Sequence, residues 1–308
     1  MKNIFAYVLL MLFSIAAQAK EDIPVITRFD PTTGSYQALL IWTKEMSSIH
    51  PEYNFVLQNV LGAQGENADR RVISLARSGQ KLIWFGSSVS FTNNRFLFTE
   101  NAWDRNKDIL PLKGFSISNQ ILFVNRKRIS SIEEFKKLIT SNKTVYFGST
   151  INGGGGDVLN DLVVKHYKLE NIIKEIKYKN AGEIVTALVN GEIDYTILSQ
   201  GYIRLSDINP LMISAKKRSD HQLLSQIPTG KELGIDKFVF GAQAFFGIPK
   251  ELQDFGKSLV PYIERVCDNE QIKELKSKTG QSSNCDNPDV ILQNIKEELE
   301  LVSPMYSK

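Results

Sequence analysis

Histidine is scarce in this chain. There are three in 308 residues, His50, His166 and His221, and none stands at ligand spacing to another histidine or to a cysteine. That spacing excludes the common zinc patterns, so no metal is expected. Surplus charge is missing as well: 37 Lys and Arg nearly balance 34 Asp and Glu, for a formal charge of +3. With no arginine-rich stripe and no aromatic RNA motif beside it, a nucleic-acid partner is excluded. The chain lacks a G-x-S-x-G elbow, an H-E-x-x-H helix and any cysteine–histidine pairing. Acidic residues are plentiful, but no spacing singles out a pair for acid–base work. Internal repeats and low-complexity tracts are absent. Beyond the first twenty residues, no apolar run is long enough to span a bilayer.

What is present begins with the ends. "MKNIFAYVLLMLFSIAAQAKED" has a basic residue at Lys2, an apolar core over residues 4–17 and a small-x-small end at Ala17-Gln18-Ala19. This is the layout of a secretory signal peptide, residues 1–19, cleaved after Ala19. Its apolar core is shorter than the ~20 residues of a membrane anchor. The mature chain is therefore expected to be exported and soluble. In an oxidising compartment the two cysteines, Cys267 and Cys285, are expected to form a disulfide closing a C-terminal loop. The alternative is a pair of buried free thiols.

Strand-like and helix-like runs alternate. "PVITRF" reads as a strand, ending in the loop "DPTTGS". A helix follows, with Leu39, Trp42, Met46 and Ile49 on one face. "NFVLQNV", "ENADRRVISLARSG" and "KLIWFGSS" continue as strand, helix and strand. The pattern restarts at "ILFVN". The helix "SSIEEFKKLI" carries a capping box, Ser130 to Glu133 or Ser131 to Glu134. "TVYFGS", "DVLNDLVVKHY", "IIKEIKY", "AGEIVTALVNG" and "EIDYTILS" complete a second α/β unit. The stretches "FFGIPKELQDFGKSLVPYIERV" and "PDVILQNIKEELELV" read as C-terminal helices. Two such units predict an α/β protein with mostly parallel sheets and a ligand site beyond the strand carboxyl ends, where "DPTTGS", "GSSVS" and "GSTINGGGGD" lie.

The last of these loops holds four consecutive glycines at 153–156. Strand, glycine loop and helix make an anion site, because first-turn N–H groups and the helix dipole favour negative charge. A nucleotide P-loop needs Lys-Ser or Lys-Thr after the glycines, and here Asp157 follows. A dinucleotide fingerprint fails as well, since "GSTING" has no middle glycine. A small carboxylate needs no lysine, and Ser149, Thr150 and Asn152 add side-chain donors. The competing reading is a plain flexible connector. Asp194, early in its strand, is the best single carboxylate candidate. The competing reading there is an ordinary strand-edge aspartate.

Four segments, in order, carry a family resemblance. They are "QNVLGAQGENADRRVISLARSGQKLIWFGSS", "SSIEEFKKLITSNKTVYFGSTINGGGGDVLNDLV", "IKYKNAGEIVTALVNGEID" with Lys179, Leu188, Gly191 and Asp194 in place, and "SAKKRSDHQLLSQIPTGKELGID". Together they span nearly the whole mature chain. The chain resembles the solute receptors of tripartite tricarboxylate transporters, the Bug-type extracytoplasmic binding proteins. The resemblance implies a type II periplasmic-binding-protein fold: two α/β lobes joined by crossing strands around a central cleft. The first lobe would hold residues 20–119 and 216–308, and the second 120–215. It implies that the loop after the first strand and the serine–glycine loop hold a ligand carboxylate, partly through ordered waters.

The expected ligand residues are Thr32, Thr33, Gly34, Ser35, Ser87, Ser149, Thr150, Asn152, Gly153, Gly154, Gly155 and Asp194. One departure stands out. The family's first loop reads Pro-Gly-Gly-x-x-Asp followed by Ala-Arg, whereas "PTTGSYQALL" keeps one glycine and brings two threonines. The expected function is a periplasmic receptor capturing a small organic anion, a di- or tricarboxylate or an acidic amino acid. No cofactor is expected, and the protein is expected to be a monomer whose partners are that ligand and membrane transporter subunits. Two alternatives stand beside it: a sensor signalling to a membrane kinase, and an exported enzyme on the same scaffold.

Overall fold

The computed structural model describes residues 20–31, 33–98, 103–141, 143–150, 155–219, 221–278 and 281–306. The leader, Thr32, Asn152, Gly153 and Gly154 lie outside the described residues. The elements run β1 (Glu21–Thr27), α1 (Gly34–Ile49), β2 (Tyr53–Asn59), α2 (Glu66–Arg77), β3 (Ile83–Ser87), α3 (Asn93–Leu97) and β4 (Ile109–Asn125). Next come α4 (Ile132–Ile139), β5 (Val145–Thr150), α5 (Gly155–Tyr167), β6 (Ile173–Tyr178), α6 (Ala181–Asn190), β7 (Tyr195–Ser199) and β8 (Ile208–Ile213). The chain closes with β9 (Gly241–Pro249), α7 (Gln253–Cys267), α8 (Glu270–Lys278), β10 (Ser282–Ser283) and α9 (Pro288–Tyr306).

The strand order is β2-β1-β3-β9-β4-β7-β5-β6, with β8 and β10 also paired to β4. β1 runs parallel to β2 and β3, and β5 runs parallel to β6 and β7. Parallel neighbours need helical crossovers, and the helices between these strands supply them. The molecule is two α/β lobes sharing one long strand. Up to Asn119, β4 pairs with β9; from Gln120 on it pairs with β7 and β8.

Each lobe has its own core. In the first, Trp42 of α1 stacks on Phe246 at 4.2 Å, and Phe85, Phe115 and Phe246 meet edge-on or tilted within 5.5 Å of one another. Such pairs add about 1 kcal/mol each beyond the area they bury. In the second lobe Tyr195, Phe135 and Phe147 form the aromatic centre, with Leu122, Val145 and Leu159 around them. The C-terminal helix α9 reaches both: Ile291 and Ile295 join a first-lobe cluster, and Val302 joins the second-lobe core.

Local chemistry explains the element ends. Ser131 caps α4 by accepting from Glu134 N–H at 3.2 Å, and the Glu134 carboxylate accepts from Ser130 N–H at 2.7 Å. Cys267, at the end of α7, is bonded to Cys285, with Cα atoms 6.0 Å apart. No helix among the described residues is long and apolar enough to cross a membrane.

Two expectations needed correction. The stretch before "ILFVN" extends β4 back to Ile109 despite Pro111 and Gly114. Register shifts at those two points absorb the residues that a regular ladder rejects. And "FFGIP", expected to open a C-terminal helix, is the second half of β9, with α7 starting after it at Gln253.

Candidate functional site

Register fixes where the strand ends go. Ser87 at the end of β3 pairs with Ala244, and Ala244 pairs with Ser116 of β4. Four residues on, Gln120 pairs with Ser199, the end of β7. The carboxyl ends of β1–β3 and of β5–β7 therefore face each other across the point where β4 changes lobes. This is the crevice in which open α/β sheets bind ligands.

The first wall is the loop between β1 and α1. Thr33 is the N-cap of α1: its hydroxyl accepts from Tyr36 N–H at 3.3 Å and donates to the Asp30 carbonyl at 2.7 Å. A capping side chain of this kind is worth about 1 kcal/mol. The Thr33 hydroxyl is thus committed to its own helix. What the helix leaves for a ligand is the N–H groups of Gly34 and Ser35, which have no acceptor inside the helix. No acidic residue stands in that first turn, so the dipole end is open to an anion. The Ser35 hydroxyl is met by Gln281 Nε2 at 2.9 Å, a contact brought in from the loop that the disulfide closes.

The second wall is the turn at 87–90. The Ser87 hydroxyl accepts from Val89 N–H at 3.3 Å, and Ser88 accepts from Gln243 N–H at 3.1 Å. Behind the turn lies a buried charge network. Arg105 donates to the Ser90 carbonyl at 2.9 Å and to Glu66 at 2.8 Å; Arg28 donates to the Ser90 hydroxyl at 3.1 Å. Trp84 Nε1 donates to Asp69 at 2.8 Å. Burial raises the Asp69 pKa, with Arg28 opposing that shift, and burial lowers the pKa of Arg28. The Arg28 side chain lies across Gly65, where a Cβ would come within 2.4 Å of it and where φ is +91°. Breaking a buried pair of this type strands its partner, so the network holds the turn rigidly.

The facing wall comes from the second lobe. Ser149 is buried and its hydroxyl donates to Glu175. Thr150 ends β5, and Gly155 opens α5. The first-turn N–H groups of α5 have no acceptor inside the helix, although Asp157 already brings a negative charge to that turn. Gly155 and Gly156 leave no room for a side chain. A Cβ on Gly155 would sit 2.4 Å from the Phe240 ring, and one on Gly156 would sit 2.4 Å from the Ile197 carbonyl.

Asp194 is a correction. It precedes β7, at the end remote from Ser199, where its carboxylate accepts from Tyr146 N–H at 2.9 Å and pairs with Arg128 at 3.4 Å. Five residues of strand put it roughly 16 Å from the crevice. The structure instead brings in residues that the sequence reading passed over. The Ser118 and Ser199 hydroxyls are 2.9 Å apart, and Gln200 accepts from Asn119 N–H at 3.2 Å, which ties the end of β7 to the crossing strand. Their signal was position alone: polar residues at a strand end.

No protein-family model and no curated protein matches the chain. Solved structures do. Rpa4515 of R. palustris, with adipate, is 17% identical with a TM-score of 0.75, over 94% of this chain and 98% of that one. MatC from Rhodopseudomonas palustris, with bound malate, is 19% identical with a TM-score of 0.71, over 93% and 99%. A TctC solute-binding protein from Polaromonas is 14% identical with a TM-score of 0.74, over 93% and 99%. The chain has the two-lobed fold of these periplasmic binding proteins over 93–94% of its length.

Proposed function

We propose that this protein is a periplasmic solute-binding receptor that captures a small organic anion, a di- or tricarboxylate or an acidic amino acid, for a tripartite tricarboxylate-type transporter. The observation that carries this reading is the meeting of two helix N-termini, α1 at Gly34 and α5 at Gly155, across one crevice. First-turn N–H groups that have no acceptor inside their own helix, and positive dipole ends, suit a carboxylate. The adipate and malate held by structures of the same fold support the ligand class. The first lobe is built on 20–119 and 241–308 and the second on 120–240, since Leu224, Ile227, Ile235 and Phe238 pack with residues of β4–β7 and α6. The carboxylate rests on the N–H groups of Gly34 and Ser35, with Ser87 and Thr150 beside it. Residues 1–19 are removed on export, and the mature monomer meets membrane transporter subunits.

A thermal-shift screen of the mature chain over small carboxylates tests the reading. A ligand at a hundred times its Kd adds about 2.7 kcal/mol of stability. No shift with any acid, alongside a shift with a neutral or cationic compound, overturns it.

A further inference from the structure

A cavity of about 830 Å³ lies beside the crossing strands, between α5, α9 and the segments at 214–219 and 237–241. Protein interiors are normally filled, and pockets that hold small molecules run to roughly 300–1,000 Å³. The two helices turn matching stripes toward it: Val158, Asp161, Leu162 and Lys165 on α5, and Asn294, Glu297, Glu298 and Leu301 on α9. Its floor is apolar, with Phe240 and Ala215 buried beneath those helices.

Charge divides across this space. The 214–241 wall is basic, with Lys216, Lys217, Arg218 and Lys237, while α9 is acidic through Glu297 and Glu300, and α5 adds one charge of each sign, Asp161 and Lys165. Lys216 and Glu297 pair at 2.6 Å, and Arg218 pairs with Glu232 at 2.7 Å. Among the described residues, Lys217 and Lys237 on one side and Glu300 on the other have no such partner. A ligand of single charge would meet one wall well and the other badly, whereas a dipolar ligand matches both.

We propose that this cavity is a second small-molecule site, taking an amphipathic zwitterion: an apolar body on the Leu162–Phe240 floor, a carboxylate toward Lys217 and Lys237, and an ammonium toward α9. Its described lining meets the strand-end crevice at Asn119 of the crossing strand. Three hinge segments border it, since Asn119, Ala215 and Gly241 all line it. Glu298 joins it to the crevice, because Thr92 Oγ1 donates to Glu298 at 2.7 Å and Ser88 also bonds to that carboxyl.

Three probes with one body and different heads test this on the mature chain: phenylalanine, 3-phenylpropionate and phenethylamine. Calorimetry should show saturable binding of phenylalanine at least tenfold tighter than either of the others. Lys237→Glu, an exposed change that leaves the fold intact, should weaken phenylalanine at least tenfold and strengthen phenethylamine. Leu162→Trp, which fills the floor, should weaken all three. No preference for the zwitterion, or a preference unchanged by Lys237→Glu, overturns the proposal.

Discussion

At the scale of single residues, committed side chains decide what is left for a ligand. Thr33 was attractive as a hydroxyl donor, yet its oxygen caps α1. Thr33→Ala should therefore cost about 1 kcal/mol in urea unfolding and leave carboxylate affinity within threefold. A tenfold loss of affinity at unchanged stability would return Thr33 to the site. Gly155 inverts the usual reading of a glycine loop. Because its missing Cβ makes room for Phe240, Gly155→Val should destabilise by about 1–3 kcal/mol through overpacking. Phe240→Leu in the same chain should recover part of that loss, which a ligand-contact role for Gly155 does not predict.

Glu298 is the residue with the clearest pH signature. Burial pushes its carboxyl up to about 7, against hydrogen bonds from Ser88 and Thr92. The folded state then keeps a proton that the unfolded chain releases near pH 4.3. Stability from this group is complete below pH 4.3 and is lost as pH rises to about 7. The loss is on the order of 3 kcal/mol. Melting of the Glu298→Gln variant should lack this component, so the gap between variant and parent should widen from pH 4.5 to 7.5. Burial lowers the pKa of His50, which works in the opposite sense: its contribution is lost as pH falls below about 6.5. A parallel pair of curves for Glu298→Gln and parent would show that Glu298 is ionised throughout.

At the scale of elements, the alternation of strands and helices was legible because each helix carries a 3.6-residue apolar stripe and each buried strand an apolar run. Leu39, Trp42 and Met46 are fully buried, as their spacing requires. Ser131 with Glu134 marked the start of α4 correctly. What stayed hidden were strands whose local chemistry argues against them. β4 contains Pro111 and Gly114, and only its pairing with β9 rescues it. The run at 245–249 could belong to a helix or a strand by periodicity alone, and the long partner that makes it a strand is more than a hundred residues away. Asp194 failed for a related reason. A residue's place along a strand is readable in sequence, but which strand end faces the crevice depends on pairing with β4. The disulfide is an element-scale staple. It closes an 18-residue separation and carries Gln281 to Ser35. Replacing both cysteines by serine should cost about 2–4 kcal/mol.

At the scale of the whole molecule, the two lobes are not independent. β4 contributes Ile109, Leu112 and Phe115 to first-lobe clusters and Leu122 and Val124 to the second-lobe core. α9 repeats the arrangement at the other end of the chain, with Tyr306 stacked on Phe96 at 4.7 Å. Unfolding one lobe would strip shared strands and helix from the other, so the lobes should unfold together. The chain offers a direct check, because its three tryptophans, Trp42, Trp84 and Trp103, all lie in the first-lobe clusters. Tryptophan fluorescence then reports that lobe alone, while far-ultraviolet circular dichroism reports both. Coincident urea transitions by the two probes are expected, as for a two-state unit. A circular dichroism transition split in two, with only one step matching the fluorescence, would mean that β4 and α9 transmit too little energy to couple the lobes. In that case ligand-driven closure would have to rest on contacts made by the ligand itself.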